Sequence, residues 1–230
     1  MRENQGGITL SCFDFDAVIF DLDGVITRTA AVHAAAWKVL FDEFREHSGG
    51  EWQPFDPGTD YPRHVDGKPR LDGVRDFLAA RGVELPEGEE EDPPGKATVQ
   101  GLGRRKNEIF RQRLAAEGVQ VYEAGRQLVE ALAERGMGRA VVSSSRNCVA
   151  VLEAAGMADF FPVKVDGVDA AELGLAGKPA PDIFLEAARR LEVRPGRALV
   201  LEDALAGVEA GERGGFGLVV GVDREDRAEA

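Results

Sequence analysis

The sequence predicts an α/β protein: a parallel sheet with helices on both faces and a smaller helical domain inserted after the first strand. Three observations carry this. Five short apolar runs read as buried strands. Helix-period segments separate the later runs, as crossovers between parallel strands require. The gap between the first and second runs is far too long for one crossover helix.

The first strand is Ala17-Val18-Ile19-Phe20. Residues 30–47 (AAVHAAAWKVLFDEFREH), 72–81 and 104–117 then read as three helices of the insertion. Between the last two, residues 84–96 (ELPEGEEEDPPGK) are rich in Pro, Gly and Glu and read as a solvated loop. Residues 123–135 lead back to the second strand, 139–142. The helical segment 147–156 ends on Gly156, a plausible stop. The third strand is 161–165. A helix over 180–192 follows, with Pro181 where an opening helix tolerates proline. Residues 198–201 and 217–221 complete the sheet. The expected division is a core of 1–31 and 123–230 with a helical insertion of 32–122. No internal repeat is visible.

The chain has 230 residues, 28 Lys plus Arg against 41 Asp plus Glu, and a net charge of −13. So acidic a protein is a poor general partner for nucleic acid or anionic membranes, and neither is expected. Any anionic ligand must be gripped by a local basic cluster. Cys12 and Cys148 lie far apart without CxxC spacing, so neither a disulfide framework nor a zinc site is expected. The N-terminus lacks an unbroken apolar h-region, and no apolar run reaches bilayer length. The expectation is a cytoplasmic monomer.

The chemistry concentrates where the strands end. Asp21 and Asp23 stand two apart at the carboxyl end of the first strand, on one side of an extended chain, and Gly24 lets the backbone turn there. Open parallel sheets hold ligands at that end. Paired carboxylates suit magnesium, and an unprotonated one can attack phosphorus. Alone, the pair could instead be capping or turn aspartates, the less favoured reading. Asp14 and Asp16 resemble it but precede the strand and lack the glycine.

Three further features stand at predicted strand ends. Ser143, Ser144 and Ser145 follow the second strand and can hydrogen-bond phosphate oxygens. Lys178 precedes a helix and can neutralise charge during phosphoryl transfer. Glu202 and Asp203 add two acids as metal ligands. Separately these could be an N-cap, a solvated charge and turn residues; their convergence at one sheet end favours a site.

Together, FDLDGVIT, the serine-ended strand, GKPAPDIF and LEDALAGVEAG resemble the haloacid dehalogenase superfamily, in its β-phosphoglucomutase-like branch. The resemblance spans nearly the whole chain and implies a Rossmann-like core with an inserted helical cap. It implies Asp21 as nucleophile and Asp23 as general acid/base. Magnesium would be held by Asp21, the Asp23 main-chain carbonyl, Glu202 and Asp203, and Ser143 and Lys178 would grip the phosphoryl group. Thr29 and His33 look like residues that couple cap closure to Asp23, though His33 alone could be a packed histidine. Trp37 reads as cap packing. Lys106 matches a cap lysine, Arg70 a cap arginine for the non-reacting phosphate, and Arg146 with Asn147 the family's Ser-Lys-Asn loop; for these basic residues a solvated face is the competing reading. Arg28 departs from the family's usual Asp beside Thr29, a charge reversal at the hinge. Tyr61 to Gly73 is longer than in the smallest relatives.

The implied reaction is interconversion of β-glucose 1-phosphate and glucose 6-phosphate through an aspartyl phosphate and glucose 1,6-bisphosphate. The alternatives are a sugar-phosphate phosphatase that uses water for the second half, and a non-catalytic regulatory module.

Overall fold

A computed structural model describes residues 14–223; Cys12 lies outside them. Five strands form one sheet: β1 (Ala17–Asp21), β2 (Gly138–Val142), β3 (Val163–Val165), β4 (Ala198–Glu202) and β5 (Leu218–Gly221). All neighbours are parallel, in the order β3-β2-β1-β4-β5. The predicted α/β architecture is therefore present. β3 is two residues shorter than expected, because Phe161 and Pro162 only lead into it.

Side-chain alternation along β1 divides the interior. Val18 and Phe20 join a large core with Leu22, Trp37, Leu40, Phe41, Phe77, Phe110 and Phe161. Ala17 and Ile19 point to the other face, against Val142, Val200, Phe184 and Ala187. Both faces of the sheet are covered, as an all-parallel sheet requires.

The segment between β1 and β2 holds α1 (Ala30–Ser48), a π-helical turn (Tyr61–Val65), α2 (Arg70–Ala80), α3 (Val99–Glu117) and α4 (Glu123–Glu134). α1 packs along α3. An aromatic cluster ties α1 to α2: the Phe77 ring lies 4.0 Å from Phe41 and 5.1 Å from Phe55, and the Arg81 guanidinium caps Phe77 at 4.5 Å.

α3 begins at Val99, five residues before the predicted start. Its first turn carries Gly101 and Gly103, which weaken the apolar signal. The real start signal is Thr98, whose hydroxyl oxygen accepts from Gly101 N at 3.0 Å and whose hydroxyl donates to buried Asp92 at 2.7 Å. Residues 84–96 form the expected loop, with Asp92 drawn inward by Lys96 and Thr98.

The chain enters and leaves the helices α1 to α3 through two adjacent segments. Thr27 and Val121 form an antiparallel bridge, Arg28 N donates to Gln120 O at 2.8 Å, and Tyr122 N donates to Ile26 O at 2.9 Å. The Arg28 guanidinium lies 4.6 Å from the Tyr122 ring centre. The reversed charge at this position thus packs against the returning segment.

After β2 come α5 (Cys148–Ala154), α6 (Gly167–Leu173), α7 (Asp182–Arg190) and α8 (Leu205–Arg213). α6 and α8 had no predicted counterpart; α6 has only seven residues and rests on a capping box between Asp166 and Asp169. Asp16 sits at the opposite sheet end from Asp21, paired with Arg197 at 2.7 Å, so its role is structural. Among the described residues, no helix is long and apolar enough to cross a membrane.

Phe77→Ala removes the ring shared by this cluster. It should cost about 3–5 kcal/mol in urea unfolding. A loss below about 1 kcal/mol would mean that the cluster does not hold α2 against α1.

Candidate active site

β1 and β4 are neighbours, and the chain turns away in opposite directions from them. Their carboxyl ends border the sheet's topological switch point. Asp21 ends β1 and Glu202 ends β4, so both carboxylates arrive at one place. Lys178 reaches between them from the segment before α7. Its Nζ donates to Asp21 Oδ1 at 2.5 Å and to Glu202 Oε2 at 2.7 Å.

After Asp21 the backbone closes a tight loop. Gly24 N donates to Thr27 O at 2.8 Å, and Thr27 N donates to Leu22 O at 2.9 Å. Gly24 has φ +82°, and a Cβ there would lie 1.7 Å from Asp203 Oδ2. Only glycine lets this loop lie against Asp203. A Cβ on Gly207 would likewise lie 2.0 Å from Glu202 Cδ, so α8 must present glycine for Glu202 to be buried.

Oxygens of Asp21, Glu202 and Asp203 lie within 4.8 Å of one another, an arrangement that could hold a cation. Their protonation supports the fit. Burial pushes the Asp21 carboxyl well up, Glu202 pushes it further, and Lys178 opposes both. Burial and then Glu202 push Asp203 up to about 8. Burial works against the Lys178 charge, but Asp21 and Glu202 outweigh it and hold the ammonium protonated. One ammonium among these acids leaves an excess of negative charge that a hard divalent cation would balance.

The Asp23 side chain is outside that acid group. Its Oδ1 accepts from the Thr29 hydroxyl, and Thr29 in turn touches Thr27 Oγ1 at 2.7 Å. Burial raises the Asp23 carboxyl above its ordinary value, with Thr29 working against it. A carboxyl that holds its proton more tightly than usual suits the role of a proton donor and acceptor. His33 Nε2 lies 3.7 Å from Asp23 Oδ1, and His33 Nδ1 lies 2.6 Å from Lys106 Nζ. The His33 ring stacks on Phe110 at 4.0 Å. Burial first, then Lys106 and Arg70, hold His33 well below the usual imidazole range. Burial and Arg70 bring Lys106 down to about 7.

These groups line one cavity of about 680 Å³ between the sheet end and helices α1 to α3. Asp21, Asp23, Ser143, Lys178, Glu202 and Asp203 form its floor; His33, Arg70 and Lys106 project from the helices. Ser143 is buried, and its Oγ accepts from Ser145 N at 3.1 Å. Burial and then Arg146 lower Arg70 to about 10, and its buried Nε has no hydrogen-bond partner among the described residues. Trp37 is buried against Gly73 and stacked on Phe41, as packing requires.

Three of the expected ligand residues line the cavity and also bridge its two sides. Ser144 Oγ donates to Gly67 O at 2.8 Å, Asn147 Nδ2 donates to Asn107 Oδ1 at 2.8 Å, and Arg146 pairs with Glu90 at 3.6 Å. The cavity wall also holds Tyr61, Asp66 and Glu90, which sequence spacing does not mark. They lie on irregular segments where neither period two nor period 3.6 identifies a face.

The sequence signature of the haloacid dehalogenase-like hydrolases matches residues 15–215. A curated β-phosphoglucomutase of Mycobacterium bovis is 49% identical over 216 residues, spanning 92% of this chain and 82% of that protein. A phosphorylated carbohydrates phosphatase of Thermotoga maritima is 25% identical over 209 residues, 90% of this chain and 85% of that one. Among solved structures, a β-phosphoglucomutase of Clostridium difficile shares the fold with TM-score 0.74 at 24% identity, covering 94% of each chain.

Lys106 gives a pH test with a definite sign. Its pKa falls from 10.5 to about 7 on folding, so burying it costs most below pH 7 and nothing above 10.5. Lys106→Met should therefore gain a few kcal/mol at pH 7, at about 1.4 kcal/mol per pKa unit. The gain should shrink as the pH rises toward 10.5. Urea midpoints of both proteins across that range check it; a pH-independent difference would refute a depressed Lys106.

Proposed function

The chain belongs to the haloacid dehalogenase-like hydrolases, and from that premise we propose that it interconverts β-glucose 1-phosphate and glucose 6-phosphate. One observation carries this reading: the cavity has cationic side chains both on the sheet side and on the helix side. Lys178 stands at the floor; Arg70 and Lys106 stand on the facing helices. A sugar bisphosphate needs both grips at once. A protein of net charge −13 has gathered them in one place.

In the proposed mechanism Asp21 attacks phosphorus and becomes an aspartyl phosphate, with Lys178 and Ser143 holding the phosphoryl oxygens. Asp23 protonates the departing sugar oxygen and removes the proton from the attacking one. The Asp21 phosphoryl group passes to β-glucose 1-phosphate. The resulting bisphosphate reorients and returns its other phosphoryl group, and glucose 6-phosphate leaves. Asp21, Glu202, Asp203 and the Asp23 carbonyl would hold magnesium, which supplies charge neutralisation at the phosphoryl group when bound. Thr29 and His33 hold Asp23 in position from the hinge and α1.

Residues 32–122 act as the cap in this reading, and 1–31 with 123–230 as the core. The bridges Ser144–Gly67 and Asn147–Asn107 support a closed state that keeps water from the aspartyl phosphate. Hydrolysis is the second reading, favoured by the likeness to the Thermotoga maritima phosphatase. It shares every step up to the attack by water.

The deciding assay supplies β-glucose 1-phosphate, magnesium and a trace of glucose 1,6-bisphosphate. Glucose 6-phosphate without free phosphate is expected; stoichiometric phosphate would reject the mutase in favour of the phosphatase. Asp21→Asn should abolish turnover, and Asp23→Asn should slow it by about 10²–10⁴. EDTA should stop the reaction and magnesium should restore it. An Asp21→Asn protein as fast as the parent would refute covalent transfer.

A further inference from the structure

Arg70, the first residue of α2, and Arg146, just before α5, line the cavity from opposite sides. They differ in what they meet. The buried Nε of Arg70 has no hydrogen-bond partner among the described residues. Arg146 meets an acid: its Nη1 lies 3.6 Å from Glu90 Oε1, and both side chains remain open to solvent. Glu90 itself lines the cavity, so its exposure places it at the mouth. A carboxylate thus stands at a cation that faces a space suited to anions.

Both ends of this pair come from segments whose course is fixed. The loop 84–96 is pinned to α2 and α3. Arg75 grips the Glu87 carboxylate through Nη2 at 2.5 Å and Nε at 3.2 Å. Val99 N donates to Pro86 O and Gln100 N to Glu87 O, each at 3.1 Å. Gly88 turns the chain with φ +78°, where a Cβ would lie 2.3 Å from Asp92 Oδ2. Arg104 Nη1 then donates to the Glu90 carbonyl at 2.7 Å. On the other side, Gly167 presses on the loop of Arg146: a Cβ there would lie 2.8 Å from Ser144 O and 3.1 Å from Arg146 N. The two backbones are held while the two side chains are free to exchange partners. A single contact of 3.6 Å between solvent-exposed groups is weak. A phosphate dianion brings more charge and more acceptor oxygens than one carboxylate, and it wins the guanidinium.

We propose that Glu90 is a placeholder anion: it holds Arg146 at the cavity mouth before substrate arrives and yields it to the non-reacting phosphate, so that it competes with the substrate for this cation. The inference rests on the sugar-phosphate reading above and deepens it. Glu90 keeps Arg146 aimed at the mouth and raises the charge that a ligand must bring to displace it.

The test follows consumption of β-glucose 1-phosphate, whichever product appears. Glu90→Gln should lower KM about threefold with kcat within about twofold of the parent, the size expected for an exposed ion pair. Hydrolysis of acetyl phosphate, which has no second charged end, should not change. Glu91→Gln removes the same charge one residue along, off the cavity wall, and should leave KM as it is. The gain in Glu90→Gln should fade at about 1 M salt, where screening acts within about 3 Å. It should also be absent when Arg146→Gln is already in place. An unchanged KM overturns the proposal, as does an equal gain on acetyl phosphate or in Glu91→Gln. A rise in KM overturns it as well, because the pair would then be a latch that favours the ligand-bound form. A parent inactive on the sugar phosphate would refute the reading beneath and this proposal with it. Phosphate release in place of glucose 6-phosphate would reject only the mutase and leave the KM comparison to be read as before.

Discussion

Everything at the site depends on the Lys178 ammonium between Asp21 and Glu202. Its two hydrogen bonds join the ends of β1 and β4 to the segment before α7. Three chain regions far apart in sequence meet there with almost no solvent. Removing any partner would leave a buried charge uncompensated, which is worse than never having had the pair. That explains the local sequence: Gly24 and Gly207 make room for Asp203 and Glu202, and no larger residue would let the acids approach. The sheet sets the position of each group, and the glycines set how closely they come.

The facing helices answer with the opposite kind of strain. At the floor, burial first and neighbouring negative charge second push the acids up. On the helix side, Lys106 and Arg70 are pushed down by burial and by like charge. Such opposed shifts within one cavity are the mark of a site kept for a ligand rather than for stability. His33 sits at the junction, touching Lys106 on one nitrogen and approaching Asp23 on the other. Movement of α1 about the Thr27–Val121 bridge would therefore be felt directly at Asp23. Arg28 on Tyr122 adds a contact at that bridge which an aspartate could not make.

The sheet was legible in the sequence because its strands are continuous apolar runs and its reactive residues stand at the runs' ends. Asp21, Asp23, Glu202 and Asp203 could be placed together by topology, since parallel strands deliver their carboxyl ends to one edge; Lys178 comes from the connection between α6 and α7 and was placed with them by its motif. The start of α3 was not legible: Thr98 is a good cap, but Gly101 and Gly103 mask the period behind it. α6 and α8 were missed because α6 is short and α8 reads as part of the loop motif after β4. The phosphate-binding reading of Ser144 did not anticipate that its hydroxyl bonds to Gly67, a contact 77 residues apart. Tyr61 and Asp66 line the cavity but carry no periodic signal.

The two halves of the cavity also constrain each other. A protein with a large negative charge repels anions at long range, so its cationic groups must be buried where water does not screen them. Burial weakens those cations unless an anion arrives, and it weakens the floor acids as anions unless a cation arrives. A ligand that carries phosphate together with a divalent ion satisfies both demands at once; either alone leaves one side unbalanced. In the proposed mechanism binding and closure would then be linked, because the helices gain their counter-charge only when the ligand spans the gap to the floor. Closure of that kind would exclude the water that otherwise takes the phosphoryl group, so the same electrostatic imbalance that draws the ligand would also favour transfer to a sugar over loss to solvent.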